Sequence, residues 1–150
     1  MAARRYLADT NILVRLVKRH DPECSLVRGA LRAWLVQSAR LCYTPPTMAE
    51  FWTVSTRPPE RHGDGLTPLE ADRRARRMER AVTWLPDGAA VDRAWRRVIV
   101  AHAVSGVQVY DARLVAVMQG HDVTPLLTLH DRDVARDAGS TVVHPSQVAV

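Results

Sequence analysis

Short apolar runs alternate along this chain with longer stretches whose apolar residues recur every three or four positions. Tyr6-Leu7-Ala8 is short and continuous, which predicts a buried strand stopping at Asp9-Thr10-Asn11. Ile12-Leu13-Val14, with Leu16 and Val17, predicts the helix that follows directly. A longer amphipathic helix is expected from Pro22 towards Ser38, with Leu26, Ala30, Ala33 and Leu35 facing inward. Leu41-Cys42-Tyr43 predicts a second strand, closed by Pro45-Pro46. From Thr47 through Phe51, Trp52 and Val54 the spacing is again helical, and it stops near Arg57-Pro58-Pro59.

Residues 58–66, with two prolines and two glycines, read as a loop. Thr67-Pro68-Leu69-Glu70 is a helix start, with threonine at the cap, proline in the first turn and glutamate three residues on. Ala71, Ala75, Met78, Val82 and Leu85 would line its inner face, and Arg73, Arg76, Arg77 and Arg80 the others. Val91, Trp95, Val98 and His102 repeat that pattern in the next helix. Residues 110–119 form another, and Pro125 to Leu129 a third strand. A helical turn around Arg132 to Arg136 and a strand at Thr141-Val142-Val143 close the order. Strands alternating with helices imply an α/β/α sandwich around a central parallel sheet, Rossmann-like in topology. The 150 residues fit one domain, 1–150, and no internal repeat is visible. Neither GxGxxG nor GxxxxGK[ST] occurs, so no nucleotide cofactor is indicated.

Charge adds a possible partner. There are 21 basic residues against 16 acids, a net charge of +5, and Lys18 is the sole lysine. Arginine contacts phosphate through two nitrogens at once, so the balance suits a nucleic acid, although genome composition alone also produces such a bias. Cys24 and Cys42 are too few for a disulfide framework. No apolar run reaches the roughly 18 residues of a membrane span, and Asp9 interrupts any leader-like segment after Arg4 and Arg5. A soluble cytoplasmic protein is expected.

Several acids have apolar neighbours. Asp9 directly follows a strand, and open parallel sheets bind ligands at the carboxyl ends of their strands. Glu50 shares a helical face with Thr47, Phe51 and Val54, a stripe expected to point inward. Asp111 shares one with Leu114, Val115 and Met118, and Asp131 and Asp133 follow the third strand. An aspartate after a strand is equally the ordinary N-cap of the next helix, and Asp111 suits that role too. A carboxylate on an apolar helix face needs a partner or a cation. Gathered at one sheet edge, three or four carboxylates would repel strongly. A hard divalent ion such as Mg²⁺ relieves that repulsion and readies water for attack on a phosphodiester. No His/Cys pattern with zinc spacing competes.

Four stretches in order, YLADTNIL (6–13), MAEFW (48–52), YDARLVA (110–116) and LLTL through HDRDV (126–134), resemble the PIN-domain ribonucleases, especially the VapC-type toxins of bacterial toxin–antitoxin pairs. The likeness spans nearly the whole chain. It implies a compact α/β/α domain whose acidic pocket holds Mg²⁺ or Mn²⁺. Asp9, Glu50 and Asp111 fall on the family's first three acidic positions, Thr10 and Asn11 on the polar places beside the first, and Thr128 on the hydroxyl position before the fourth. The fourth motif departs from the pattern, with His130 where Asn or Asp is common and Asp133-Val134 where Asp-Phe is usual. Asp133 is therefore taken as the fourth acid, with Asp131 as its competitor.

The resulting expectation is a metal-dependent endoribonuclease, in which Asp9 and Asp111 bind the cation and Glu50 orients the attacking water. Asp133 would support the metal or a second ion. Its partners would be single-stranded or structured RNA and a cognate antitoxin protein, in a homodimer or a toxin–antitoxin hetero-oligomer, with no membrane involved. Arg73, Arg77 and Arg80 form a candidate RNA- or partner-binding face, against the plain alternative of a solvated helix surface. His102 is expected as a core histidine, the four tryptophans mostly as core, and both cysteines as buried thiols. Two other classes stay open. One is a catalytically silent PIN-like binding module. The other is a receiver-like Mg²⁺-binding signalling domain, which needs a late lysine that this chain lacks.

Overall fold

A computed structural model describes residues 3–123, 125–129 and 141–148. Among these residues five parallel strands form one sheet: β1 (Arg5–Ala8), β2 (Arg40–Tyr43), β3 (Thr83–Trp84), β4 (Pro125–Leu127) and β5 (Thr141–Val143). Their order across the sheet is β3-β2-β1-β4-β5. The chain therefore builds outward from β1 in one direction, then resumes on the other side of it. The place where the order reverses, between β1 and β4, is where a doubly wound sheet leaves a crevice at its carboxyl edge.

Among the described residues six α-helices cover the sheet: α1 (Thr10–Val17), α2 (Cys24–Val36), α3 (Pro45–Thr56), α4 (Pro68–Glu79), α5 (Ala89–Ala101) and α6 (Gln108–Gly120). Strand side chains alternate between two separate packing clusters. Tyr6, Ala8, Leu41, Tyr43 and Leu127 join one with α1 to α4. Leu7, Cys42 and Leu126 join the other with α5 and α6. Phe51 and Met78, both fully buried in the first, each contribute on the order of 2–3 kcal/mol by leaving water. The expected layered architecture is thus present, with α1–α4 on one face and the α5–α6 hairpin on the other.

Several local expectations are corrected. Helix α2 buries Val27, Ala30, Leu31 and Trp34, while Leu26 and Leu35 are exposed. Trp34 stacks on Tyr6 with ring centroids 4.0 Å apart, and that large contact sets the rotation of the helix. Helix α3 begins at Pro45 rather than Thr47. Both prolines occupy its first turn, where a missing N–H costs nothing, behind a Thr44–Thr47 capping box. Helix α4 starts at the expected Thr67–Glu70 box but ends at Glu79. Val82 and Leu85 are buried outside it, flanking the two-residue strand β3. Trp84, on that edge strand, is exposed rather than core. Helix α6 starts at Gln108, two residues earlier than expected, and β4 ends at Leu127. The turn expected at Arg132 to Arg136 lies outside the described residues.

Three helices end in the same way. Ser38, Ala103 and Asp122 take left-handed backbone conformations after α2, α5 and α6. The following amides return to carbonyls in the last turn: Ala39 to Trp34 at 2.8 Å, Val104 to Ile99 at 3.0 Å and Val123 to Met118 at 2.8 Å. Within the hairpin the helices approach closely at Gly120, where a Cβ would stand 2.9 Å from Val91 Cγ2. Both cysteines are buried and free, as expected, and burial pushes the Cys42 thiol up against the opposing charge of Arg5. Among the described residues no helix is long and apolar enough to cross a membrane.

Candidate active site

Strand β1 delivers the first acid. After Ala8 the chain turns at Asp9, in extended conformation, directly into α1. Asp9 N–H donates to the Leu127 carbonyl at 2.9 Å, which ties the turn to the end of β4. The side chain serves as cap and as site residue together. Its Oδ1 accepts from Thr10 N–H at 2.7 Å, while Oδ2 accepts from the Thr128 hydroxyl at 2.9 Å and the Asn11 amide at 3.1 Å. Asn11 Nδ2 also donates to Thr128 Oγ1 at 3.0 Å, and its Oδ1 accepts from Leu129 N–H at 3.0 Å. Asp9, Asn11 and the fully buried Thr128 thus form a fixed polar knot across the carboxyl ends of β1 and β4.

The other two described acids arrive on separate helices. Glu50 comes from α3, where its Oε2 accepts from the Thr10 hydroxyl at 2.7 Å. Asp111 comes from the first turn of α6. Asp9, Glu50 and Asp111 all line one cleft of about 390 Å³, together with Thr10. The cleft has two sides. Asp9 and Glu50 come from the end of β1 and from α3, while α5 and α6 bring Asp111 together with apolar Val98, Leu114, Val115 and Met118.

Glu50 departs from its expected burial. Thr47 and Phe51 are buried, but Glu50 beside them is exposed, because this flank of α3 borders the cleft rather than the core. Asp111 does share its helix face with Leu114, Val115 and Met118, and that face opens onto the cleft. His102 is likewise exposed instead of core. It caps the C-terminus of α5, and the left-handed turn at Ala103 leaves it on the cleft wall. Gln108 and Tyr110 also line the cleft and were not anticipated. The one sequence signal for Tyr110 is its place beside Asp111.

Arg73, Arg77 and Arg80 are exposed on or just after α4, and none of them lines the cleft. Lys18 pairs with Asp64 at 2.9 Å, away from the carboxylates, which removes the support a receiver-like reading would need. His130, Asp131 and Asp133 lie outside the described residues, and so does the choice of fourth acid. Among the described residues, no three His, Cys, Asp or Glu side chains stand close enough to hold an ion between them. The three acids line the cleft without closing on a common point among the described residues.

A doubly wound sheet with carboxylates from a strand end and two helices lining the cleft at its switch point has the layout of an α/β ligand site. A family model extends this to the chain itself: the PIN domain model matches residues 6–139, and the chain belongs to that family. No curated protein matches it in sequence. Solved structures share its fold. A chain of VapBC2 from Rickettsia felis, solved with a promoter DNA fragment, has 11% identity and a TM-score of 0.70, covering 93% of this chain and 98% of that one. DNA-bound VapBC from Salmonella typhimurium gives 15% identity and 0.70, covering 95% and 98%. VapC20 from Mycobacterium tuberculosis, described as a sarcin–ricin loop cleaving toxin, gives 20% identity and 0.58, covering 91% and 98%.

Proposed function

We propose that this protein is a divalent-metal-dependent endoribonuclease and the toxin of a VapBC-type toxin–antitoxin pair. The observation that carries the reading is the convergence of Asp9, Glu50 and Asp111 on one cleft at the sheet's switch point. The fold shared with VapBC toxins supports it, as does the sarcin–ricin loop cleavage ascribed to VapC20. In this reading the partners are RNA and a cognate antitoxin, within a homodimer or a hetero-oligomer, in the cytoplasm.

The donor chemistry fits Mg²⁺ or Mn²⁺, which prefer oxygen ligands and retain several waters in an open site. Asp9 and Asp111 would hold the ion, with Asp133 as the supporting fourth acid. When bound, the cation supplies charge neutralisation at the phosphodiester and activation of a water. The chain's own groups do the rest. The Asp9 carboxylate is kept in one orientation by three donors, so it needs no reorganisation when the substrate arrives. Glu50, steadied by the Thr10 hydroxyl yet open to solvent, is placed to orient the attacking water and take up its proton.

The test is cleavage of a panel of labelled single-stranded RNAs and tRNAs with Mg²⁺ or Mn²⁺ and with EDTA. Asp9→Asn keeps an oxygen for the Thr10 amide but sets an NH2 against the Asn11 donor, so it should stay folded with a Tm lower by about 2–8 °C. Its cleavage rate should fall by at least about 100-fold. Full cleavage by that variant, or by wild type in EDTA, would sink the reading. No cleavage and no metal binding would leave a silent binding module.

A further inference from the structure

Asp9 and Glu50 reach the cleft from the end of β1 and from α3, and only Asp111 comes from the other side. That side is built by the α5–α6 hairpin, and on it stands Tyr110, 76% exposed and adjacent in the chain to Asp111. We propose that Tyr110 is the stacking platform for one unpaired RNA base beside the scissile phosphate, with Val98, Leu114 and Met118 as the apolar floor under that base. This rests on the ribonuclease reading above and names what the apolar residues beside Asp111 are for.

The dimensions and chemistry agree. A cleft of about 390 Å³ lies at the small end of ligand sites and suits a single nucleoside, not a helix of RNA or protein. A base is neutral, flat and apolar on both faces, so it tolerates an apolar wall and an aromatic ring. A phosphate does not, and neither does an acidic side chain facing Asp9, Glu50 and Asp111. Because Tyr110 and Asp111 are consecutive on one helix turn, a base on the ring leaves its own backbone near the carboxylates. Other exposed apolar residues at this end of the hairpin, Val100 and Val107, do not line the cleft. Gln108 on the same wall offers an amide to a base edge.

The consequence is a restriction on substrate. The base must leave its stack to reach the ring, so single-stranded segments and loops are accepted and continuous duplex is refused. Stacking on an aromatic side chain tolerates every base, so Tyr110 sets the conformation of the RNA more than its sequence.

The test uses the full chain, a loop-forming RNA carrying 2-aminopurine next to the cleaved position, and four proteins: wild type, Tyr110→Ala, Tyr110→Phe and Asp9→Asn. Wild type and Asp9→Asn should quench the fluorescent base on binding. Tyr110→Ala should bind roughly 5- to 150-fold more weakly and lose the quenching, and Tyr110→Phe should restore both. In cleavage, the Tyr110→Ala loss should fall in KM more than in kcat, whereas Asp9→Asn loses kcat. Tyr110→Ala binding and quenching like wild type overturns the proposal. So does a Tyr110→Phe variant as weak as alanine. If Asp9→Asn is inactive while Tyr110→Ala behaves as wild type, the nuclease stands and the platform falls. If wild type binds and quenches but never cleaves, the platform stands and the nuclease reading falls.

Discussion

Asn11→Asp probes the polar knot directly. The two side chains have almost the same shape, so packing is preserved and only the donor is replaced. Leu129 N–H keeps its acceptor on residue 11, but the group facing Asp9 Oδ2 at 3.1 Å becomes a carboxylate oxygen. Two like charges that far apart repel by about 5 kcal/mol at an effective dielectric of 20. Asp9 and Asn11 are only partly buried, so solvent reduces the effect to about 2–4 kcal/mol, including the lost hydrogen bonds. For a domain this size that lowers Tm by roughly 4 to 16 °C at pH 7. The introduced carboxyl group binds its proton more readily in the folded chain than in the unfolded one. Its favourable contribution is therefore present at low pH and is lost as pH rises through its folded pKa. Calorimetry from pH 7 down to pH 4 should show the gap to wild type closing. Mn²⁺ should close part of it at pH 7 if the proposed cation binds at Asp9. A variant melting within about 1 °C of wild type at pH 7 would refute the Asp9–Asn11 contact.

Two further outcomes concern the frame around the site. Asp64 joins α1 to α4 through Lys18 and Arg74; burial pushes its carboxyl up, but the hydrogen bonds and charges of both partners hold it below its ordinary value. Asp64→Asn should cost about 1–3 kcal/mol at neutral pH, and because a depressed carboxyl stabilises above its unfolded pKa, the difference should shrink as pH falls below about 4. A gap unchanged at pH 3 in thermal melts would contradict the assignment. Ala103 holds φ 50° with a solvent-exposed side chain, so Ala103→Gly should remove the steric cost without emptying any packing. The net gain, after the looser unfolded chain is counted, is about 0.5–1 kcal/mol, a Tm rise of roughly 1 to 4 °C; a fall would refute the left-handed turn.

Much of this frame was legible because it rests on local rules. The Thr67–Glu70 box, the strand ending at Asp9 and the alternation of strands with helices each depend on neighbours in sequence. The failures arose where a distant contact decided. Leu26 and Leu35 offer α2 a plausible inner face, but Trp34 reaches Tyr6 on β1 and turns the helix towards Val27 and Leu31. Strand β3 has two residues and no pattern of its own; it exists because Cys42 and Tyr43 offer it a sheet edge. The site acids were found by type and setting, yet Glu50 was expected inward because periodicity does not tell a core face from a cleft wall. His102 failed for the same reason. Its spacing from Trp95 and Val98 is helical, and only the left-handed Ala103 shows that the helix is already ending there.

The sheet keeps the two packing clusters apart, and the carboxylates straddle it: Glu50 rides on one cluster, Asp111 on the other, and Asp9 on the strand between them. Substitutions inside one cluster can be compensated by neighbours in that cluster, so each can drift on its own. The cleft is the place where those two histories must still agree. A lineage can therefore exchange much of its interior, as long as each change leaves the spacing across that seam unaltered. Low overall identity with a retained fold is what such a partition allows.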